Sequence, residues 1–375
     1  MVSPQPTHLT PMVPLAWALR AAGHEVLVAG QPDIGDAARG AGFPVALLGA
    51  AYDDVGRRRR AASTPAPQGQ ALWDSFAERW RDRMRQVVPH YLGIAGRWRP
   101  DLILADPLEF AAGIVGAGLA IPVVHHRWGV DALSDTRWRH ARTALEPVCA
   151  EFGLGAGPRP PDLVVDPCPP RLQQPGISAG APVRFVPYNG PGEYPAWLRR
   201  EGRPPRRVCV CLGTRTVALD GAAVLANVVR AVAGVRGVDE VVVATGPDRR
   251  RELTGLPANV RVAESVPLNL MMHRVAAVVH HGGAGTALTA TAFGRPQLVL
   301  PQAPYLVEHG ERISAVGAGV LLREAEQTAQ AIESAVAALL SEPEWRGNAE
   351  DLAAEMAASP PPAALVPSLT ALARS

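Results

Sequence analysis

The sequence predicts an α/β fold in two successive parts, each a parallel sheet flanked by helices. Three observations predict it. Short β-rich runs alternate with Ala/Leu/Arg-rich helical segments, the pattern of strands joined by crossover helices. The 375 residues correspond to two domains, or three, at about 150 residues each. One long stretch rich in Pro and Gly, from Gly153 to about Pro205, interrupts the rhythm, which then restarts.

In order along the chain, Pro14–Ala22 reads as a helix stopped by Gly23 and followed by a strand over Glu25–Ala29. Asp101–Ala105 and Pro122–His125 read as buried strands, with Ala111–Leu119 as a small-residue helix between them. Beyond the breaker-rich stretch, strands are predicted at Arg207–Leu212, Val238–Ala244, Val260–Ala263, Ala276–His280 and Pro296–Leu300. Helices are predicted at Gly221–Ala233 and Thr286–Phe293, with amphipathic ones at Thr328–Leu340 and Trp345–Ala358. The first strand of an open α/β sheet is normally central, yet only Met1 and Val2 precede the turn-like Ser3–Pro6. Either residues upstream of Met1 supply it, the reading we favour, or Met1–Ser3 is its remnant.

Composition excludes several classes. Hydrophobic residues make up 47% of the chain, enough for sizeable cores. All 37 basic residues are Arg. Without Lys there is no Schiff-base chemistry of the pyridoxal phosphate kind and no P-loop lysine. The same usage, with abundant Ala, Gly and Pro, points to a GC-rich bacterial genome. A net charge of +2 offers nucleic acid no extended basic surface. Cys149, Cys168, Cys209 and Cys211 are too few and scattered for a disulfide framework, and read as core residues. The N-terminus lacks a signal-peptide pattern, and the longest apolar stretch, Phe110–Val124, carries three Gly and a Pro, so no membrane span is expected. The expectation is a cytoplasmic protein; a homodimer is compatible with the sequence.

The most informative segment is Val278–Gly294, VVHHGGAGTALTATAFG. An apolar strand ends at His280–His281, a Gly-Gly-Ala-Gly turn follows, and a helix opens at Thr286. Such a helix start presents unpaired N–H groups and a positive dipole end, and Gly283 and Gly285 let an anion approach the backbone. A histidine at the strand end can donate to that anion. The plain alternative is a tight strand-to-helix turn without a ligand. Leu288 occupies the last position of a dinucleotide fingerprint, so a nicotinamide enzyme is not expected.

HHGGAGT, followed by GRPQLVLPQ and a Glu-Arg-Ile helix, resembles the donor-sugar signature of GT-B glycosyltransferases, in the group that decorates natural products from TDP- or UDP-sugars. PMVPLAWALRAAGHEV, VPYNGPG, VCVCLGT and VRVAESVPLNLMM agree in the family's order. The resemblance implies two Rossmann-like domains facing each other across a cleft. The acceptor-binding domain would span 1–185 and a linker 186–205. The nucleotide-sugar domain would span 206–358, with 359–375 packing back on the first domain. By the same resemblance, His281 binds the donor pyrophosphate, Gly283, Gly285 and Thr286 surround it, and Gly213 and Thr214 face the diphosphate. Val266 and Leu268 would contact the base; Ser265 stands where many relatives carry an aromatic. Where the family commonly has Asp-Gln on the sugar hydroxyls, this chain has Tyr305-Leu306, and His309 replaces a usual Asn. Tyr and Leu suit a face lacking hydroxyls, so the expected donor is a deoxysugar; the alternative is that they only pack in a loop.

Thr7-His8-Leu9-Thr10-Pro11 matches the family's G-H-x-x-P element, whose histidine is the general base, with Thr7 in place of the glycine. Histidine suits proton removal from an alcohol near neutral pH, and a carboxylate behind it would fix its tautomer. Asp106, ending DLILADP, matches that carboxylate. His125 and His126 end a strand and are acceptor-site candidates or rivals for the base. Trp73, Phe76 and Trp80 share a helical spacing; they line an apolar acceptor pocket or simply pack the core. Asp53-Asp54 lacks further ligands, so no metal is expected and the only co-substrate is the nucleotide sugar. Arg57–Arg60 reads as a solvated mobile loop. The resulting expectation is an inverting, metal-independent glycosyltransferase taking a TDP- or UDP-sugar and an apolar acceptor. A nucleotide-sugar 2-epimerase of the same fold and a non-catalytic relative acting as another transferase's partner are the alternatives.

Overall fold

A computed structural model describes residues 1–61, 69–131, 134–154, 157–199, 205–213, 222–247, 250–303 and 306–374. The chain forms two compact units. The first is Met1–Pro167 with Pro175–Arg184 and Pro360–Ser375; the second is Cys168–Gln174 with Phe185–Ser359.

In the first unit β1 (Val28–Gly30) pairs in parallel with β2 (Val45–Leu47). Strands β3 (Ile103–Ala105), β4 (Val123–His126), β5 (Leu163–Asp166) and β6 (Ala181–Pro182) form a parallel run in that order. Between the two groups lies Met1–Ser3. Its Val2 bridges Gly30 in parallel, the Val2 N–H donates to Ala29 at 3.1 Å, and the Met1 amine donates to Leu104 O at 2.6 Å. These first residues therefore fill the central position that we expected to lie further upstream. Helix Ala111–Leu119 is built of small side chains because it lies close on β4: a Cβ at Gly116 would strike Val123 Cγ2. It ends on Ala120 at φ 53°, the left-handed stop common after a helix. The final helix, Pro362–Leu372, buries Leu365 and Leu369 with Leu15, Val124, Val165 and Val183.

Several elements differ from the sequence expectation. The segment around Arg57 is a helix, Asp54–Ala61. Asp53 accepts the Gly56 N–H at 3.0 Å and Asp54 stands in the first turn, so acids begin the helix and arginines follow, as its dipole favours. A 30-residue helix, Gly69–Trp98, runs through Pro89. Strand β5 lies inside the stretch read as a boundary, where Leu163–Asp166 supplies four strand residues between prolines.

The second unit holds one six-stranded parallel sheet, ordered β12-β11-β10-β7-β8-β9. These are β7 (Arg207–Cys211), β8 (Glu240–Thr245), β9 (Val260–Glu264), β10 (Ala277–His280), β11 (Gln297–Val299) and β12 (Gly319–Leu321). The central strands are apolar on both faces because helices cover both, as parallel sheets require. Val208, Val210 and Val279 pack beneath helices Ala222–Ala233 and Ala329–Ser341, while Cys209, Val242 and Val278 face Met271, Met272 and Ala290. No helix among the described residues is long and apolar enough to cross a membrane.

Candidate functional site

In the first unit, functional side chains gather where Met1–Ser3, β3 and β4 end. The helix Pro6–Leu9 starts on a proline, whose missing N–H costs nothing at a helix start, and it carries His8. His8 Nδ1 lies 3.2 Å from Asp106 Oδ1 and 2.8 Å from Ser3 Oγ, and its ring stacks on Trp128 at 4.4 Å between centroids. Asp106 is wholly buried and accepts the Ser3 N–H at 2.7 Å, the Ser3 hydroxyl at 3.1 Å and the Leu108 N–H at 3.0 Å. Burial alone would raise its pKa. The His8 hydrogen bond and charge and the two backbone N–H groups outweigh it and hold the carboxyl at about 2. With Nδ1 held toward an ionised carboxylate, the imidazole is fixed in the tautomer that leaves Nε2 as an acceptor. His8 stays partly accessible, its side chain 18% exposed. Ser3 and Trp128 were not marked by the sequence reading: Ser3 sat in an apparent turn, and Trp128 follows the strand-ending His125-His126-Arg127.

His125 and His126 are both buried. Burial lowers each imidazole to about 4, against the pull of Asp106 on His125 and of the Arg127 carbonyl and Asp166 on His126. A ring lowered to about 4 holds a proton weakly near neutral pH. His126 Nδ1 is 2.6 Å from the Arg127 carbonyl, and His125 lies tilted on Trp138 at 4.9 Å. Trp73 and Phe76 belong to a chain of ring contacts: His140 stacks on Trp73, Trp73 meets Phe76, Phe76 stacks on Trp80, Trp80 meets Phe110, and Phe110 meets Trp138. Phe110 and Trp138 belong to the core, and Trp80, half-buried, packs against it. Below Asp106 a second polar group is sealed in: Glu109 accepts Arg83 Nη2 at 2.5 Å, Arg83 Nη1 at 3.2 Å and the Tyr91 hydroxyl at 3.2 Å.

In the second unit the glycine-rich turn follows β10, and the helix opens at Ala284, two residues before the predicted Thr286, with Gly283 as N-cap. The N–H groups of Ala284, Gly285 and Thr286 thus begin a helix with no acceptor of its own. Gly282 at φ +92° is required because a Cβ there would strike the Leu306 carbonyl. A Cβ on Gly213 or Gly283 would lie 2.6 or 2.7 Å from the His281 ring, so both glycines make room for that imidazole, and the space beside Gly285 is open. Its neighbour His280 is structural: Nδ1 accepts the Gly282 N–H at 3.1 Å and Nε2 lies 2.9 Å from Gln297 Oε1. Burial, with His281 nearby, lowers His280 to about 3, so the ring is neutral and Nε2 donates to Gln297. His309, buried in helix Val307–Ala315, is lowered to about 4 by burial and by His281.

Val266 is half-buried and Leu268 buried, and the exposed Ser265 just before them adopts φ 55°. Asn189, in the VPYNGPG segment, donates to Thr289 Oγ1 at 3.1 Å and accepts the Asn269 N–H at 2.9 Å, tying this loop to the helix behind the turn. Thr286 Oγ1 lies 3.9 Å from Cys211 Sγ, and Leu306 immediately precedes helix Val307–Ala315. Thr214 and Tyr305 lie outside the described residues. Among the described residues no three His, Cys, Asp or Glu side chains gather as metal ligands.

One parallel sheet that ends in a glycine-rich turn and an unpaired helix start, and another that carries a carboxylate-backed imidazole, are the equipment of a GT-B glycosyltransferase, and the protein is an enzyme of that class. The chain belongs to the erythromycin biosynthesis protein CIII-like family, whose N-terminal domain matches residues 17–213 and whose C-terminal domain matches residues 227–372. It is 35% identical to an L-demethylnoviosyl transferase of Streptomyces niveus, over 98% of this chain and 96% of that one. A spinosyn rhamnosyltransferase solved with thymidine diphosphate is similar over 98% of both chains, at 40% identity and a TM-score of 0.87. The same enzyme with spinosyn aglycone gives 39% identity and a TM-score of 0.86, over 98% of this chain and 99% of that one.

Proposed function

We propose that this glycosyltransferase moves a deoxysugar from a TDP-sugar to a hydroxyl of an apolar natural-product aglycone, inverting the anomeric centre, in the cytoplasm. The first unit binds the acceptor and the second the donor. His8 Nε2 takes the proton of the acceptor hydroxyl as its oxygen attacks the anomeric carbon. Asp106 stabilises the imidazolium that results. The bond from that carbon to the diphosphate oxygen breaks, and the negative charge on departing TDP is met by His281 and the N–H groups of Ala284–Thr286. Val266 and Leu268 flank the base, with Gly213 near the diphosphate, a role the resemblance also gives to Thr214. The family resemblance assigns Tyr305 and Leu306 to the sugar, at positions where a glucose-binding site would offer Asp and Gln. Trp73 and Phe76 extend the core aromatics toward an apolar acceptor, with His125 and His126 behind the wall.

The observation that carries this reading is the His8–Asp106 pair: a part-exposed imidazole 3.2 Å from a buried carboxylate held at about 2. The thymidine diphosphate bound to the similar rhamnosyltransferase supports the choice of TDP. Calorimetric titration with TDP and UDP, beside transfer assays, tests both halves. His8→Ala is expected to bind TDP normally and lose transfer, and His281→Ala to lose TDP binding. Full transfer by His8→Ala sinks the base assignment, and equal TDP affinity in His281→Ala sinks the donor assignment.

A further inference from the structure

The second unit has another basic cavity, of about 490 Å³, at the opposite end of its sheet from the glycine-rich turn. It is lined where β7 and β10 begin and just before β11, by Arg206, Arg207, Arg274, Arg295 and Arg346 beside His273. Two of these cations have their charge answered nearby. Arg207 pairs with Glu240 at 2.5 Å, and Arg346 with Glu350 at 2.8 Å. Arg206 gives its Nη2 to the Leu340 carbonyl at 2.9 Å. Glu342, the acid in the lining, accepts the Trp345 indole N–H at 3.0 Å. Arg274 and Arg295 are different: the Nε of each is buried with no hydrogen-bond partner. Burial and the neighbouring Arg346 disfavour the charged form of Arg295, with only a partial pull from Glu350. The 16-residue helix Pro343–Ala358 also begins at this wall, adding the positive end of its dipole.

Like charges gathered around unfilled space, with buried donors lacking acceptors, oppose folding unless something negative answers them. A guanidinium fork fits phosphate oxygens, and a group with several oxygens can serve more than one fork. We propose that this cavity is a second anion site, distinct from the donor turn, which takes a small phosphate-bearing molecule of at least two negative charges between Arg274 and Arg295.

Inorganic pyrophosphate is the probe, titrated calorimetrically into the full-length protein, into His281→Ala and into a double variant, R274Q/R295Q, made in the His281→Ala background so that the donor turn does not contribute. Wild type and His281→Ala are expected to bind it, and the double variant to bind about tenfold or more weakly at this site, as loss of charge-assisted hydrogen bonds predicts. On the unmutated protein, pyrophosphate is expected to slow phenylglyoxal modification of Arg274 and Arg295, read by peptide mass spectrometry, and to leave surface Arg39 unaffected. That measurement decides the matter if the double variant fails to fold. Unchanged affinity in a folded double variant overturns the proposal. So does binding that follows His281 instead of these arginines, or an absence of protection.

Discussion

Replacing Asp106 by Asn keeps the shape of the side chain and reverses one of its two polar atoms. In the native enzyme both oxygens accept: Oδ2 takes the Ser3 N–H, while Oδ1 faces the Ser3 hydroxyl, the Leu108 N–H and His8 Nδ1. An amide offers one acceptor. If its NH2 turned toward the Ser3 N–H, two buried donors would confront each other across 2.7 Å, at a cost of about 1–3 kcal/mol. The NH2 turned toward His8 confronts the Leu108 N–H instead, across 3.0 Å, and makes Nδ1 the acceptor. The ring proton then moves to Nε2, and the base cannot take a proton from the acceptor. Loss of general-base action amounts to about 10²–10⁴ in rate, or roughly 3–5 kcal/mol of barrier. Initial rates of TDP release in the presence of acceptor, at saturating donor, measure it; calorimetry should show unchanged TDP affinity. Ser3→Ala, which removes one of four hydrogen bonds to the carboxylate, should cost about tenfold or less. Asp106→Asn activity within about threefold of wild type would refute the claim that His8 acts as base through this carboxylate.

Other consequences follow from the same geometry. Gly213→Ala places a methyl 2.6 Å from the His281 ring at a φ of +76°, so TDP affinity should fall about tenfold and stability by about 1–3 kcal/mol, read by calorimetry and thermal melting. Glu109→Ala strands the buried Arg83 guanidinium and should destabilise the protein by about 3–5 kcal/mol in urea unfolding, without a matching loss of TDP affinity. Acid should unfold the enzyme early. His125, His126 and His309 titrate at about 4 and His280 at about 3 when folded, against 6.5 for the free ring. The unfolded chain therefore binds more protons, and stability drains as pH falls from about 6.5 toward 4, by up to about 1.4 kcal/mol per pH unit for each ring. Asp106 extends the loss as pH falls from its ordinary range through about 2. Stability that stayed level from pH 7 to 4.5 would contradict the neutral burial of these rings.

What the sequence disclosed depended on whether local residues alone decide an element. Ala111–Leu119 is found with the predicted ends because its small residues permit one close packing and its neighbours are strands. The turn after β10 is legible because glycine tolerates the backbone conformation at Gly282, although the helix begins earlier than Thr286, since Ala284 and Gly285 carry no stop signal. By contrast, β2 and β12 are three residues each, too short for any periodicity to register. Strand β5 hid among prolines, whose count suggested a boundary, while Leu163-Val164-Val165 is a short apolar run without the alternation that marks a strand. The spacing of Trp73, Phe76 and Trp80 signalled a helix but not its length, because Pro89 argues for a stop that the remaining hydrogen bonds of Gly69–Trp98 override. At the candidate site, His8, Asp106 and His281 were marked through the family resemblance, and the fold sets His8 beside Asp106. Ser3, Trp128 and Asn189 were not, since each acts by touching a residue distant in sequence or a ring whose position only the fold supplies.

The final helix belongs to the unit that begins at Met1, and this gives biosynthesis a direction. A chain emerging from the ribosome displays nearly all of the first unit long before Leu365 and Leu369 exist to cover Leu15, Val124, Val165 and Val183. The six-stranded unit needs only residues up to Ser359, so it is complete sooner, although it is made later. A premature stop at Pro360 would thus injure the half of the enzyme translated first, and a synthetic peptide of Pro360–Ser375 is the natural reagent to restore it.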